Sequence, residues 1–222
     1  MARLPALALL ALCLGAAGCG GSGAKKPAPA AQTPGAATSQ TCRKAARPAP
    51  KAETARRPGA PLAAGKAFTV TLQTNCGAIG IRLATARAPK TAASFASLVR
   101  QGFYDGLTFH RIVPGFVIQG GDPKGDGQGG PGYQITEKPP AALRYTRGVV
   151  AMAKTQVDPP GSSGSQFFIV TGPDAQLPPD YALVGTVTGG LATVDRISAL
   201  RTGPDEQPTT PVVIEKATLS GS

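Results

Sequence analysis

Residues 66–222 predict a mainly β domain, a closed or nearly closed β-architecture accompanied by two helices. Short apolar runs rich in β-branched and aromatic side chains recur along this stretch, parted by Gly, Pro and Asn turns. Only two segments carry apolar residues at helical spacing. Many short strands with so few helices are accommodated by curling a sheet until its edges meet.

The elements follow in order. Phe68, Val70 and Leu72 alternate with Thr69, Thr71 and Gln73; Asn75-Cys76-Gly77 supplies turn chemistry; Ile79, Ile81 and Leu83 alternate again, so the segment reads as a hairpin. Pro89 opens a stretch in which Ala92, Phe95, Leu98 and Val99 recur on one helical face, and Gly102 follows its end. Strand-like runs come next at Thr108 to Ile118, Gly148 to Ala153, Gln166 to Thr171 and Tyr181 to Val187. Leu191, Val194, Ile197 and Leu200 mark the second helix, and Val212 to Leu219 the last strand.

The formal net charge of +11 at first suggests a nucleic-acid partner. Its distribution argues otherwise. The first 65 residues hold nine Lys and Arg against one acid, Glu53, whereas the rest hold fourteen against eleven. All eleven aromatic residues also lie after position 65, and the leading segment has 20 Ala and 8 Pro. Such a segment cannot bury enough apolar surface to offset its ordering entropy. The chain therefore divides into a signal peptide (1–18), a disordered Ala/Pro/Gly-rich basic tether (19–65) and one folded domain (66–222), for which no nucleic-acid partner is expected.

Arg3, the apolar run from Leu4 to Leu14, and Gly15-Ala16-Ala17-Gly18 before Cys19 have the form of a secretory signal, the run being too short for a permanent span. Small residues directly before a cysteine resemble a lipobox, which makes Cys19 the expected lipidation site; an ordinary signal peptide cut nearby is the alternative. On either reading the chain is exported. With Cys19 acylated it is anchored to the cell membrane, facing the extracytoplasmic side. Cys42 and Cys76 remain, and in an oxidising setting an even pair suggests a disulfide, with two free thiols as the alternative. Their spacing matches no metal motif.

Three motifs fail on context. Gly125-Asp126-Gly127-Gln128-Gly129-Gly130 matches G-x-G-x-x-G, but Pro131-Gly132 stands where a phosphate-binding helix should begin. Gly161-Ser162-Ser163-Gly164-Ser165 approaches a nucleophile elbow without the final Gly, and the single histidine, His110, would have to reach Ser163 or Ser165. Asp122 and Asp126 lack the spacing of a calcium loop and read as turn residues.

The segment Phe109-His110-Arg111-Ile112-Val113-Pro114-Gly115-Phe116-Val117-Ile118-Gln119-Gly120-Gly121-Asp122 closely resembles the signature of the cyclophilins, the peptidyl-prolyl isomerases. Gly164-Ser165-Gln166-Phe167-Phe168-Ile169 is similar to that family's other hallmark, and Met152-Ala153 stands where its Met-Ala pair is found. The resemblance runs in order from about Phe68 to Leu219. It implies a closed eight-stranded antiparallel barrel capped by two helices, and an enzyme that turns X-Pro bonds without cofactor or metal. By the same resemblance Arg111, Phe116 and Gln119 are the catalytic residues, with His110, Val117, Met152, Ala153, Lys154, Gln166, Phe168, Leu177 and Tyr181 around the substrate.

The residue types suit that chemistry. Rotation about an X-Pro bond faces a barrier of roughly 18 to 20 kcal/mol because the nitrogen lone pair is delocalised into the carbonyl. In the twisted transition state the lone pair is localised and accepts a hydrogen bond, for which a permanently protonated guanidinium is a suitable donor. The proline ring needs an apolar seat, and an amide such as that of Gln119 can hold the peptide backbone. The sequence departs from the pattern at Gln176, where a groove Trp is frequent, at Tyr181, where His is common, and in a longer Lys154 to Ser163 loop containing Pro159-Pro160. The function expected is that of a monomeric isomerase for proline-containing segments of secreted or envelope proteins, held to the membrane by its N-terminal lipid. A cyclophilin-like module that binds proline peptides with little turnover is the alternative.

Overall fold

The computed structural model describes residues 41–52 and 54–221; the signal peptide, Cys19 and the tether up to residue 40 lie outside them. The order of elements is β1 (Phe68–Thr74), β2 (Gly77–Leu83), α1 (Pro89–Arg100), β3 (Thr108–Val113), β4 (Val117–Asp122), β5 (Ile135–Thr136), β6 (Val149–Met152), β7 (Ser162–Ser163), β8 (Phe167–Val170), β9 (Leu183–Gly189), α2 (Leu191–Ser198) and β10 (Ile214–Gly221). Eight strands form one antiparallel sheet in the order β10-β1-β2-β9-β6-β8-β4-β3, while β5 and β7 form a small separate ribbon that the sequence did not suggest. The sheet curls until its ends approach. Phe109 N donates to Val212 O at 2.9 Å, Ile214 N donates to Leu107 O at 2.8 Å, and Thr108 bridges to Val213.

The run from Thr108 to Ile118 proves to be two strands. Pro114 and Gly115 turn the chain between them, with Gly115 at φ 72 as the third residue of a type II turn requires. Helix α1 begins at Pro89 without a capping side chain on Ala88. Its cap comes from elsewhere: Glu137 accepts from Lys90 N at 3.1 Å and from both Thr91 N and Thr91 Oγ1 at 2.7 Å. A carboxylate there satisfies two unpaired N–H groups and opposes the positive end of the helix dipole.

Alternation along the central strands creates two apolar clusters. Ile118, Val150, Met152, Phe167 and Ile169 point into the barrel core with Leu72, Phe95 and Phe109. Val117, Val149, Ala151, Phe168 and Val170 point to the opposite face, where Leu143, Tyr145 and Leu183 join them. All four residues of β6 and of β8 are therefore buried, which is why these strands read as unbroken apolar runs.

The expected boundary of the tether at residue 65 needs correction. The described residues of 41–65 have no helix or strand, yet they are laid against the domain. Arg43 N donates to Asn75 O at 2.8 Å, Lys51 N to Pro123 O at 2.9 Å and Ala55 N to Pro131 O at 3.0 Å. Cys42, Ala55 and Leu62 pack on the core cluster, and a disulfide joins Cys42 to Cys76 in the β1–β2 turn. Composition denies this strap a core of its own, and the domain surface supplies its partners. Removing the disulfide through paired Cys42→Ser and Cys76→Ser should lower stability by up to about 4 kcal/mol, the chain-entropy value for a separation of 34 residues. The same change should open the strap to tryptic cleavage at Arg43, Lys44 and Lys51; unfolding curves and timed proteolysis measure both effects.

Candidate active site

The register of the sheet assembles the site. Arg111 on β3 pairs with Gln119 on β4, Gln119 pairs with Phe168 on β8, and Phe168 pairs with Ala151 on β6. Directly paired residues project from the same face, so a cation, an amide and an aromatic ring stand in one row, each about 4.8 Å from the next backbone. A bulge brings Arg111 into this row: Phe109 pairs with Gly120 and Arg111 with Gln119, so His110 is the extra residue. Bulges of this kind re-aim the side chain that follows them.

A chain of hydrogen bonds fixes the polar end. Arg111 Nη1 lies 3.4 Å from Gln119 Oε1, and Gln119 Nε2 donates to Gln166 Oε1 at 3.0 Å. Gln166 Nε2 in turn donates to the carbonyls of Gly127 and Gly129, both at 2.9 Å. The Gly-rich loop thus holds a glutamine through its backbone carbonyls. Asp122 shapes it, accepting from Lys124 N at 2.9 Å and Gly127 N at 2.5 Å, the turn role read from the sequence. Beside this relay opens a cleft of about 470 Å³, whose lining includes Gln119, Tyr133, Ala153, Lys154 and Gln166.

The apolar end lies on the outer cluster. Phe116, Ala153, Leu177 and Tyr181 are partly exposed and pack over buried Val117 and Phe168. Tyr181 meets Phe168 edge-on, with ring centroids 5.5 Å apart, and Lys154 Nζ sits 5.4 Å from the Tyr181 centroid. Tyr145 secures this corner. Its hydroxyl donates to Tyr181 O at 2.6 Å and accepts from Tyr181 N at 2.9 Å, and burial first of all pushes its pKa up to about 12. Sequence reading passed over Tyr145 and Glu137, because their partners lie far along the chain.

Two expected substrate contacts do not belong to the cleft. Met152 is 1% exposed and pairs with Phe167 on the core face, because the pleat alternates Ala151 outward and Met152 inward. His110 is 4% exposed at the bulge, and neither ring nitrogen hydrogen-bonds to a described residue, Ser163 and Ser165 included. Val117 is also buried and forms the floor of the seat rather than its wall. Gln176 is exposed, with φ 54 in the loop before Leu177.

Residues 69–219 match the family model described as cyclophilin type peptidyl-prolyl cis-trans isomerase/CLD. Peptidyl-prolyl cis-trans isomerase A of Mycobacterium tuberculosis is 40% identical over 171 residues, covering 68% of this chain and 92% of that protein. Peptidyl-prolyl cis-trans isomerase-like 1 of Gibberella zeae is 38% identical over 152 residues, covering 67% and 92%. Among solved structures, a cyclophilin type isomerase of Cryptosporidium parvum crystallised in the presence of the dipeptide Ala-Pro superposes with a TM-score of 0.65 at 30% identity, covering 68% of this chain and 98% of that one.

The buried histidine generates a pH dependence. Burial is the main cause holding its imidazole below the ordinary 6.5; Asp122 and Asp126 oppose the shift and Arg111 adds to it. As pH falls through about 6.5 the unfolded chain takes up a proton that the folded ring resists, so the unfolded state binds more protons over that interval. The contribution of His110 to stability is therefore complete above 6.5 and declines as pH falls toward the lowered folded value. Denaturant unfolding from about pH 8 to pH 5 should show this decline, and His110→Gln should flatten it.

Proposed function

Since the chain belongs to the cyclophilin-type peptidyl-prolyl cis-trans isomerase family and has that family's enzymatic activity, we propose that Arg111, Phe116 and Gln119 carry the reaction and that its substrates are X-Pro segments of exported or envelope proteins. The observation that supports the assignment of residues is the row across β3, β4 and β8, which sets the backbones of Arg111 and Phe168 roughly two strand spacings, about 10 Å, apart with both residues on one face. In this reading the substrate proline enters the seat of Phe116, Phe168, Leu177 and Tyr181. The Gln119–Gln166 relay and the rim at Ala153 and Lys154 hold the flanking backbone extended.

Arg111 then donates to the proline nitrogen as its lone pair localises. This bond is stronger in the twisted transition state than in either planar ground state, which is the condition for accelerating a step and not merely binding its reactant. Shortening an exchange of tens of seconds to milliseconds takes about four to five factors of ten, or roughly 5 to 7 kcal/mol. The step transfers no proton, so no acid or base is required of buried His110.

A proline cis/trans exchange assay on a short peptide tests the assignment. Arg111→Ala should lower kcat/KM by about 10²- to 10³-fold, as loss of a transition-state donor does elsewhere. Phe116→Ala should act mainly on KM. An Arg111→Ala enzyme with nearly full activity would remove the mechanism, and a wild type that binds the peptide without exchange would favour a binding module instead.

The proposed location rests on the signal-like leader and on Cys19, with support from the Cys42–Cys76 disulfide, a bond that persists in oxidising compartments. In this reading Cys19 carries the lipid, and the residues between it and the strap space the domain from the membrane. Mass spectrometry of the membrane fraction should find an acylated N-terminal Cys19, and Cys19→Ala should move the protein to the soluble fraction. An unmodified N-terminus downstream of Cys19 contradicts the anchor.

A further inference from the structure

The loop between α2 and β10 sends one residue to the site that the sequence reading did not single out. Arg111 Nε donates to Glu206 Oε2 at 2.5 Å across a separation of 95 residues. The same residue holds β3 through its backbone, since Ile112 N donates to Glu206 O at 2.8 Å. Glu206 is thus tied to the strand that carries Arg111 both by its carboxylate and by its carbonyl. The loop that presents it is closed on itself: Gly203 N donates to Gln207 O at 2.8 Å, Thr209 N donates to Arg201 O at 2.9 Å, and Thr202 bridges to Pro208.

A second observation concerns the backbone. Glu206 sits at φ 61, and among the described residues Gln176 is the other non-glycine with positive φ. The left-handed region disfavours a side chain such as Glu, and Asn or Gly occupies it more readily. Strain of this kind persists where the residue is needed for something besides the turn. Stability is a poor candidate for that need, because the pair is substantially exposed, with 35% of the Arg111 and 46% of the Glu206 side chain accessible.

We propose that Glu206 is a positioning residue for the isomerisation: its carboxylate holds Nε, Gln119 holds Nη1, and the planar guanidinium is left with the Nη2 donors and one Nη1 donor directed to the cleft. This rests on Arg111 being the donor to the proline nitrogen. A guanidinium fixed at two of its three nitrogens reaches the lone pair without reorganising, and orientation of that kind acts on the transition state more than on binding. The negative charge of Glu206 also offsets part of the positive field at the proline nitrogen. Orientation outweighs this, because the charge lies on the Nε side while the hydrogen bond to the lone pair is short-ranged and directional.

The test compares wild type, Arg111→Ala, Glu206→Asn and Glu206→Gln in the peptide exchange assay. Asn suits the left-handed backbone but is too short to reach Nε. Glu206→Asn should therefore lower kcat about tenfold with KM within about twofold, while its unfolding midpoint stays at or above that of wild type. A purely structural residue would lose stability and activity together. Glu206→Gln keeps the length and an acceptor oxygen, and should lose about threefold; it also serves if Asn disturbs the loop. The Arg111 Nε–H proton, followed by NMR, should exchange with solvent faster in both variants. Full activity in both Glu206 variants beside an inactive Arg111→Ala overturns this inference alone. An active Arg111→Ala overturns the donor assignment and this inference with it.

Discussion

A strand buried on both faces must give one face to the core and the other to a second apolar surface, and the neighbouring strands β6, β8 and β4 meet that requirement. Their inward residues, such as Ile118, Met152 and Phe167, complete the barrel core, while Val117, Ala151 and Phe168 pack outward. The outer cluster is only partly covered. Phe116, Leu177 and Tyr181 lie over it with their surfaces partly open, which leaves an apolar seat beside a polar row. A slip of one residue in the β4–β8 register would send Phe168 to the core and bring Phe167 out, exchanging the contents of the two faces. Fold and site therefore depend on the same register.

Around this seat, long-range hydrogen bonds do the positioning. Tyr145 binds both the carbonyl and the amide of Tyr181, Gln166 is held by the carbonyls of the Gly127–Gly129 loop, and Glu137 caps a helix 46 to 47 residues away in sequence. Each is a polar side chain meeting backbone groups that would otherwise lack partners in a crowded setting. The bulge at His110 belongs with them. It costs the sheet one unpaired residue and buries an imidazole, and it turns Arg111 to the face where Gln119 and Phe168 stand.

The strap changes what the basic leader means. Arg43 pairs with Glu215, Lys51 Nζ donates to Asp105 O, and Arg57 donates to Gln134 O and lies over the Tyr133 ring. Several of the charges that first suggested a polyanion partner are thus directed at the domain itself. The disulfide at Cys42 joins the strap to the first hairpin, beside Asn75, whose amide donates to Arg43 O and Pro211 O and whose carbonyl oxygen Oδ1 accepts from Val213 N.

By itself the sequence determined the hairpin at 68–83, both helices, the main-sheet strands apart from the division of β3 from β4, and the identity of Arg111, Phe116, Gln119 and Phe168 as a family signature. These are local or contiguous signals, carried by alternation, helical spacing and unbroken motifs. Tertiary structure decided that Met152 faces the core, that His110 is a buried bulge residue, that the described residues of 41–65 lie on the domain, and that Glu206, Glu137 and Tyr145 reach their partners. None of these has a periodic or short-range mark. Which face a residue takes within an all-apolar strand, and which distant backbone a side chain meets, are set by sheet register and loop path, which come into being only when the chain closes on itself.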